Sequence, residues 1–359
     1  MKYIVILLVI IFFKNSYAQT LTAKVVDEDG EPVIGANVYF DNTTLGVITD
    51  LEGKFSINKP QKYGNLTLVI SYLGYQTLIE KDLDSLKSVY TLKSKTDNLE
   101  TVQLYTQHFS RKRMEKAFKA HFLGLGREAR KSKILNIDDI ILYYNKADNT
   151  FHAEIYEPII VKNDYLGYKI SFDLEDFTVK FRRFTLNYSD FEESYYFGYS
   201  YYEDMNPNKI DSRIKTFLGS KEHFFKMLIN DQMHRSEFKV LYIHNFKEAN
   251  EIFDVDKISS NAYEICVKDE IVKHLEEYGI VLQVTIIHKN ENSTIRFLEP
   301  CFIVDNLGNE MQLKTLYLFG DFANYKVAKS LPQDFIVDYK EHLHYTIYTK
   351  KSTAVNRYK

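Results

Sequence analysis

Tryptophan is absent from this chain of 359 residues, cysteine occurs twice, and charge of neither sign dominates. Each shortage removes a class of reading. Lys and Arg number 46 against 49 Asp and Glu, so the formal net charge is -3 and no global field draws in nucleic acid or an anionic membrane surface. Two cysteines cannot make a disulfide framework; Cys266 and Cys301 either form a single bridge in an oxidising compartment or are two small buried hydrophobes. GxSxG, HExxH, P-loop and CxxC signatures are all missing, so none of the usual local marks of nucleophilic, metal or phosphate chemistry is present. No apolar run beyond the first residues approaches the roughly 20 needed to cross a bilayer. What is present is aromatic: 28 Tyr and 25 Phe, flat side chains that suit a pleated sheet.

The chain opens MKYIVILLVIIFFKNSYAQT. Lys2, the apolar run Ile4 to Phe13 and the small-residue pattern ending at Ala18 follow the order of a cleavable secretory signal, predicted over residues 1–18. No cysteine stands near the cleavage site to carry a lipid, and the mature chain is expected to start at Gln19 without a transmembrane segment.

From residue 19 to 94 short alternating runs recur between turn signals. Asp29-Gly30 favours a tight hairpin, with Pro32 ending the pairing. Ala36, Val38 and Phe40 make one apolar face while Asn37 and Tyr39 make a mixed one. Asp50 and Gly53 bracket a type I turn before Phe55 and Ile57, and Leu66, Leu68 and Ile70 repeat the alternation. Strands this short and this regular predict a β-sandwich.

Val26, Asp27, Gly30, Pro32, Gly35-Ala36-Asn37-Val38, Gly46, Asp50, Gly53, Phe55 and Ser71-Tyr72-Leu73-Gly74-Tyr75 resemble the carboxypeptidase regulatory-like domain, a transthyretin-like sandwich. The resemblance implies a non-catalytic appendage of the kind found beside metallocarboxypeptidase domains and at the N-terminus of TonB-dependent nutrient receptors in Gram-negative outer membranes. The stretch after position 105 is too short for such a receptor's plug and barrel.

A polar linker is expected over 95–109, then a β-rich, antiparallel α+β domain over 110–359. Met114, Ala117, Phe118, His121, Phe122 and Leu125 recur at helical spacing, and a second helix starts at Ser220 as N-cap. Strands are expected at 137–144, 151–161, 168–174, 177–188, 238–246, 279–288, 294–304 and 311–319. Phe122-Leu123-Gly124, Pro158-Ile159-Ile160, Leu166-Gly167-Tyr168 and Leu331-Pro332 resemble a region that follows the regulatory-like domain in envelope proteins of Gram-negative bacteria; this implies a compartment and assigns no catalytic residue.

Two candidate sites follow from spacing. His234-Arg-Ser-Glu237 has the HxxE spacing of a metallocarboxypeptidase zinc site, with His342 or His344 as a third ligand. With ten histidines in the chain, about one such match arises by chance, and the regulatory-like domain precedes instead of following. In ESYYFGYSYYED, Tyr195, Phe197, Tyr199 and Tyr201 share one strand face, a stripe that would stack on a sugar or receive a protein. The plainer alternative is a sheet core with phenols at its rim. The reading is a mainly β, exported protein of the periplasm or outer membrane, or one secreted, needing no cofactor and no nucleic acid. It would bind an envelope protein or glycan, with a zinc hydrolase using His234 and Glu237 as the rival.

Overall fold

The computed structural model describes residues 19–60, 66–83, 87–95, 108–312 and 315–335. The predicted leader, residues 96–107 of the predicted linker, His342 and His344 lie outside the described residues. Among those described, the chain is mainly β and carries three main buried clusters in sequence order.

The first cluster fills a sandwich of seven strands: β1 Gln19–Val26, β2 Asn37–Phe40, β3 Gly46–Ile48, β4 Lys54–Lys59, β5 Leu68–Ser71, β6 Leu78–Glu80 and β7 Val89–Thr91. They form two sheets ordered β4-β1-β7 and β3-β2-β5-β6. Its turns fall where the sequence predicts, but Pro32 does not end the pairing: it bridges Val26, and Val33 N–H donates to Val25 O at 3.0 Å. Asp27 Oδ1 accepts the amides of Asp29 and Glu31, and Gly30 takes φ +85°. Asp50 Oδ1 accepts those of Glu52 and Lys54, while Gly53 turns at φ +73°. Gly53 has a second constraint: a Cβ there would stand 2.5 Å from the Val25 carbonyl oxygen.

The second cluster lies between a six-stranded antiparallel sheet and helix α1, Arg111–Phe122. Its strands are β8 Ser132–Ile134, β9 Ile141–Asn145, β10 Thr150–Glu154, β11 Ile159–Asn163, β12 Tyr168–Phe181 and β13 Phe191–Asp204. α1 buries Met114, Ala117, Phe118, His121 and Phe122, the stripe its spacing predicts, whereas Leu125 falls past its end and is exposed. Phe118 and Phe122 meet Phe177 and Phe172 of β12 at ring separations of 4.9 and 5.2 Å. β12 and β13, 14 residues each, pair along their length with two register shifts, one at Glu175 and one between Lys180 and Phe181. The two runs expected at 168–174 and 177–188 are thus one bulged strand ending at Phe181. The run expected at 151–161 breaks in two before Pro158, which has no N–H to give a ladder.

The third cluster sits among β14 Phe238–Tyr242, β15 Asn245–Lys247, β16 Phe253–Lys257, β17 Ala262–Val267, β18 Gln283–His288, β19 Glu291–Phe297, β20 Cys301–Asp305 and β21 Leu316–Gly320. They form sheets ordered β15-β14-β18-β19-β21 and β16-β17-β20. Helix α2, Ile210–Phe217, leads from β13 toward this part, and α3, Lys221–Ile229, packs its Phe224, Phe225, Leu228 and Ile229 into it. Ser220 caps α3 by accepting the His223 amide at 3.0 Å. Helix α4, Asp269–Glu277, which the periodicity reading passes over, buries only Ile271 and Leu275. Cys266 and Cys301 stand directly opposite on β17 and β20, with Cα atoms 4.1 Å apart, and the structure joins them in a disulfide.

Candidate functional site

The mixed face of β2 finds its use away from the sandwich core. Val38 and Phe40 point into that core; Tyr39, one position out of phase, points from the opposite face yet is 2% exposed. Asn37 lies opposite Ser71, and Tyr39 opposite Val69, so these four share an outer face. What covers that face is the hairpin of β12 and β13. The Tyr39 hydroxyl donates to Asp173 Oδ2 in a very short hydrogen bond, and Ser71 Oγ donates to Asp173 Oδ1 at 2.8 Å. The Tyr201 ring lies 5.6 Å from that of Tyr39 and against Gly46, where an added Cβ would meet its Cε2 at 2.6 Å.

Backbone bonds extend the contact. The turn after β2 lies beside β13: Asn42 N–H donates to Ser200 O at 2.7 Å, and Tyr202 N–H donates to Thr43 O at 2.9 Å. Ser200 N–H donates to Asp41 Oδ1 at 2.8 Å. The segment after the last strand clamps the same turn from outside. Gln333 donates through its backbone N–H to Asn42 O and through Nε2 to Asp41 O, each at 2.7 Å. Asp334 accepts the Thr44 amide at 3.0 and 3.1 Å and its hydroxyl in a shorter bond.

Titratable groups collect along this seam. Burial pushes the Asp41 carboxyl up to about 6, against the two amides that favour its charged form, those of Ser200 and Asn42. Burial also raises Asp173, opposed by Tyr39, Ser71 and the Lys95 ammonium. Glu175, at the bulge, is raised by partial burial, with Lys95 opposing and Asp173 adding to the shift. The Tyr39 phenol is driven far upward by burial and by the Asp173 charge. Next to these groups lies a small cleft of about 20 Å³, room for little more than a water molecule, lined among others by Tyr72, Tyr75, Lys95, Tyr156, Asp173 and Glu175. Acceptors, phenols and one ammonium can hold surfaces together and bind hydrogen-bonding groups.

The aromatic stripe of the sequence runs into this seam. Tyr195, Phe197, Tyr199 and Tyr201 do share one face of β13, opposite Thr178, Asp176, Asp173 and Ser171. All four are partly buried. Phe197 and Tyr199 meet edge to face at 5.4 Å, and the sandwich covers Tyr201. The other face, with Tyr196, Gly198, Ser200 and Tyr202, is turned to the second core.

His234 and Glu237 lie elsewhere, exposed before β14 and engaged separately. Arg235 Nε donates to His234 Nε2 at 3.2 Å, while Glu237 pairs with Lys289 at 2.9 Å. Among the described residues no group of three or more His, Cys, Asp or Glu side chains is arranged to hold a metal ion. The strand expected from residue 137 begins instead at Ile141, after a short 3-10 turn over Ile137–Asp139.

Asp41, Asp173 and Asp334 are the seam residues that sequence reasoning passes over. A signal for their neighbourhood exists: Ser194 to Tyr202 contains no charged side chain, although the opposite face is already committed to a core. Two covered faces imply a second layer.

The seven-stranded sandwich with these turns is a CarboxypepD_reg-like domain, whose family model matches residues 21–104. Two curated proteins are similar over that part. TonB-dependent receptor SusC of Bacteroides thetaiotaomicron is 47% identical over 64 residues, 17% of this chain and 6% of that protein. TonB-dependent receptor P39 of Formosa agariphila is 38% identical over 90 residues, 24% of this chain and 8% of that protein. The chain thus matches less than a tenth of the length of these relatives.

Proposed function

We propose that the protein is an exported envelope protein that works by binding, as an accessory or scaffold at the outer membrane or in the periplasm. The observation that carries this reading is the seam. A regulatory-like domain, similar to segments of TonB-dependent receptors, is seated by one sheet face on a long aromatic hairpin and held by a third segment at residues 333–334. Its groups are hydrogen-bond acceptors and phenols suited to recognition, and the hydroxyls of Ser71 and Thr44 are spent on holding Asp173 and Asp334 across the seam. The disulfide between Cys266 and Cys301 suits an oxidising compartment.

The test is mild crosslinking in intact cells followed by purification from the envelope fraction and mass spectrometry. A discrete envelope partner, crosslinked through residues of the cleft such as Tyr72 or Tyr156, is the expected result. Recovery of the protein in the cytoplasmic fraction alone would sink the proposal.

A further inference from the structure

We propose that Asp41 is a proton-operated latch: uptake of a proton there tightens the seating of the regulatory-like domain on β13, and its loss loosens it.

The geometry places the carboxyl at the junction itself. Asp41 Oδ1 accepts Ser200 N–H across the seam, flanked by the Asn42 to Ser200 and Tyr202 to Thr43 backbone bonds. A protonated carboxyl keeps that acceptor on one oxygen, so the bond survives the proton. The charges facing the carboxyl are of its own sign: Asp173 from β12, which adds to its shift. Further groups around the seam are Tyr39 from β2, Glu175 from the bulge, Tyr199 and Tyr202 from β13, Asp334 beside Thr44, and Lys95, whose ammonium acts on Asp173 and Glu175. Among the described residues neither Asp41 nor Asp173 has a salt-bridge partner.

The sign follows from linkage. In the seated state Asp41 titrates near 6 instead of 3.8, so between those values the seated form holds a proton that the released form does not. Seating is therefore strongest below 3.8, weakens as pH rises to about 6, and is level above it. Asp173 and Glu175 are shifted in the same direction. The buried imidazoles work the other way. Burial holds His121 and His223 down to about 3, and lowers His288 too, so acid destabilises the two cores while it tightens the seam. The imidazoles and the seam carboxyls thus contribute to the pH response with opposite sign.

The experiment is amide hydrogen exchange on the full chain at pH 5 and pH 7.5, corrected for intrinsic rates. The reporters are Ser200 and Tyr202; the references are Val25, bonded within the sandwich to Gly53, and Leu135, bonded within the sheet to Ile160. Protection of the reporters relative to the references should be about tenfold greater at pH 5, and Asp41→Asn should flatten that ratio. A flat ratio in the unaltered protein, or an undiminished one in Asp41→Asn, overturns the latch. Should the variant not fold, the Asp41 carboxyl carbon resonance decides in the unaltered protein: a midpoint near 6 supports the latch, and one near 4 refutes it.

Discussion

A single hydroxyl shows what the seam demands of its residues. Tyr39 occupies a position that alternation assigns to the outside of the sandwich, and a phenol suits it because the second layer offers a carboxylate there. Removing the hydroxyl leaves Asp173 with Ser71 as its remaining side-chain donor while it stays buried. Tyr39→Phe should therefore lower stability by about 1–3 kcal/mol in thermal melts, the usual cost of stripping a partner from a buried charged group. Because the lost bond favours ionised Asp173, the loss should be larger at pH 7.5 than at pH 5. Equal losses at both would mean that Asp173 does not change charge in that range.

At the scale of elements, the hairpin of β12 and β13 is what both neighbours are built on. Its bulge at Glu175 brings the strands close at Gly198, where a Cβ would stand 2.2 Å from the Asp173 carbonyl oxygen and 2.6 Å from the Phe172 ring. Gly198→Val should cost upward of about 2 kcal/mol, as overpacking against backbone does, and should shift the Tyr199 and Tyr201 resonances together. Unchanged stability and spectra would show that the strands can separate at the bulge.

Much of the element plan was legible from local pattern: the turns at Asp29-Gly30 and Asp50, the buried stripe of α1, the Ser220 cap and the alternation of β2 and β13. Boundaries failed where a backbone device interrupts a continuous apolar run. Pro158 stands in the break between β10 and β11, directly before Ile159, and Pro300 in that between β19 and β20, directly before Cys301. A bulge, conversely, lets β12 run on through Glu175. The partners across the seam were not legible. Ser200 meets Asp41 across 159 positions, and Asp334 meets Thr44 across 290, distances over which no sequence period survives. The aromatic stripe was visible, but its cover belonged to another part of the chain.

The whole molecule is three cores in series, tied back to the first by the last described segment. The sandwich core draws only on residues 21–92, so residues 19–94 made as a separate piece should unfold in one cooperative transition. That transition should fall below the sandwich's own in the full chain, since the piece exposes Tyr39 and Val69, which the hairpin otherwise covers. A piece without a cooperative transition would show that the sandwich depends on its seat to fold.

The clamp at Gln333 and Asp334 also sets an order of events in time. During synthesis, or threading through an export channel, the sandwich is complete some 240 residues before the segment that locks it emerges, given loop separations of 290 to 292 residues between the locked turn and its lock. The first domain must therefore wait, folded: its outer sheet face stays open until β12 and β13 have emerged, and the turn after β2 stays unclamped until Gln333 and Asp334 follow. Among the described residues the clamp is therefore the last of these contacts that the emerging chain can make. Whatever meets the growing chain before the hairpin emerges meets the same face that the finished protein hides.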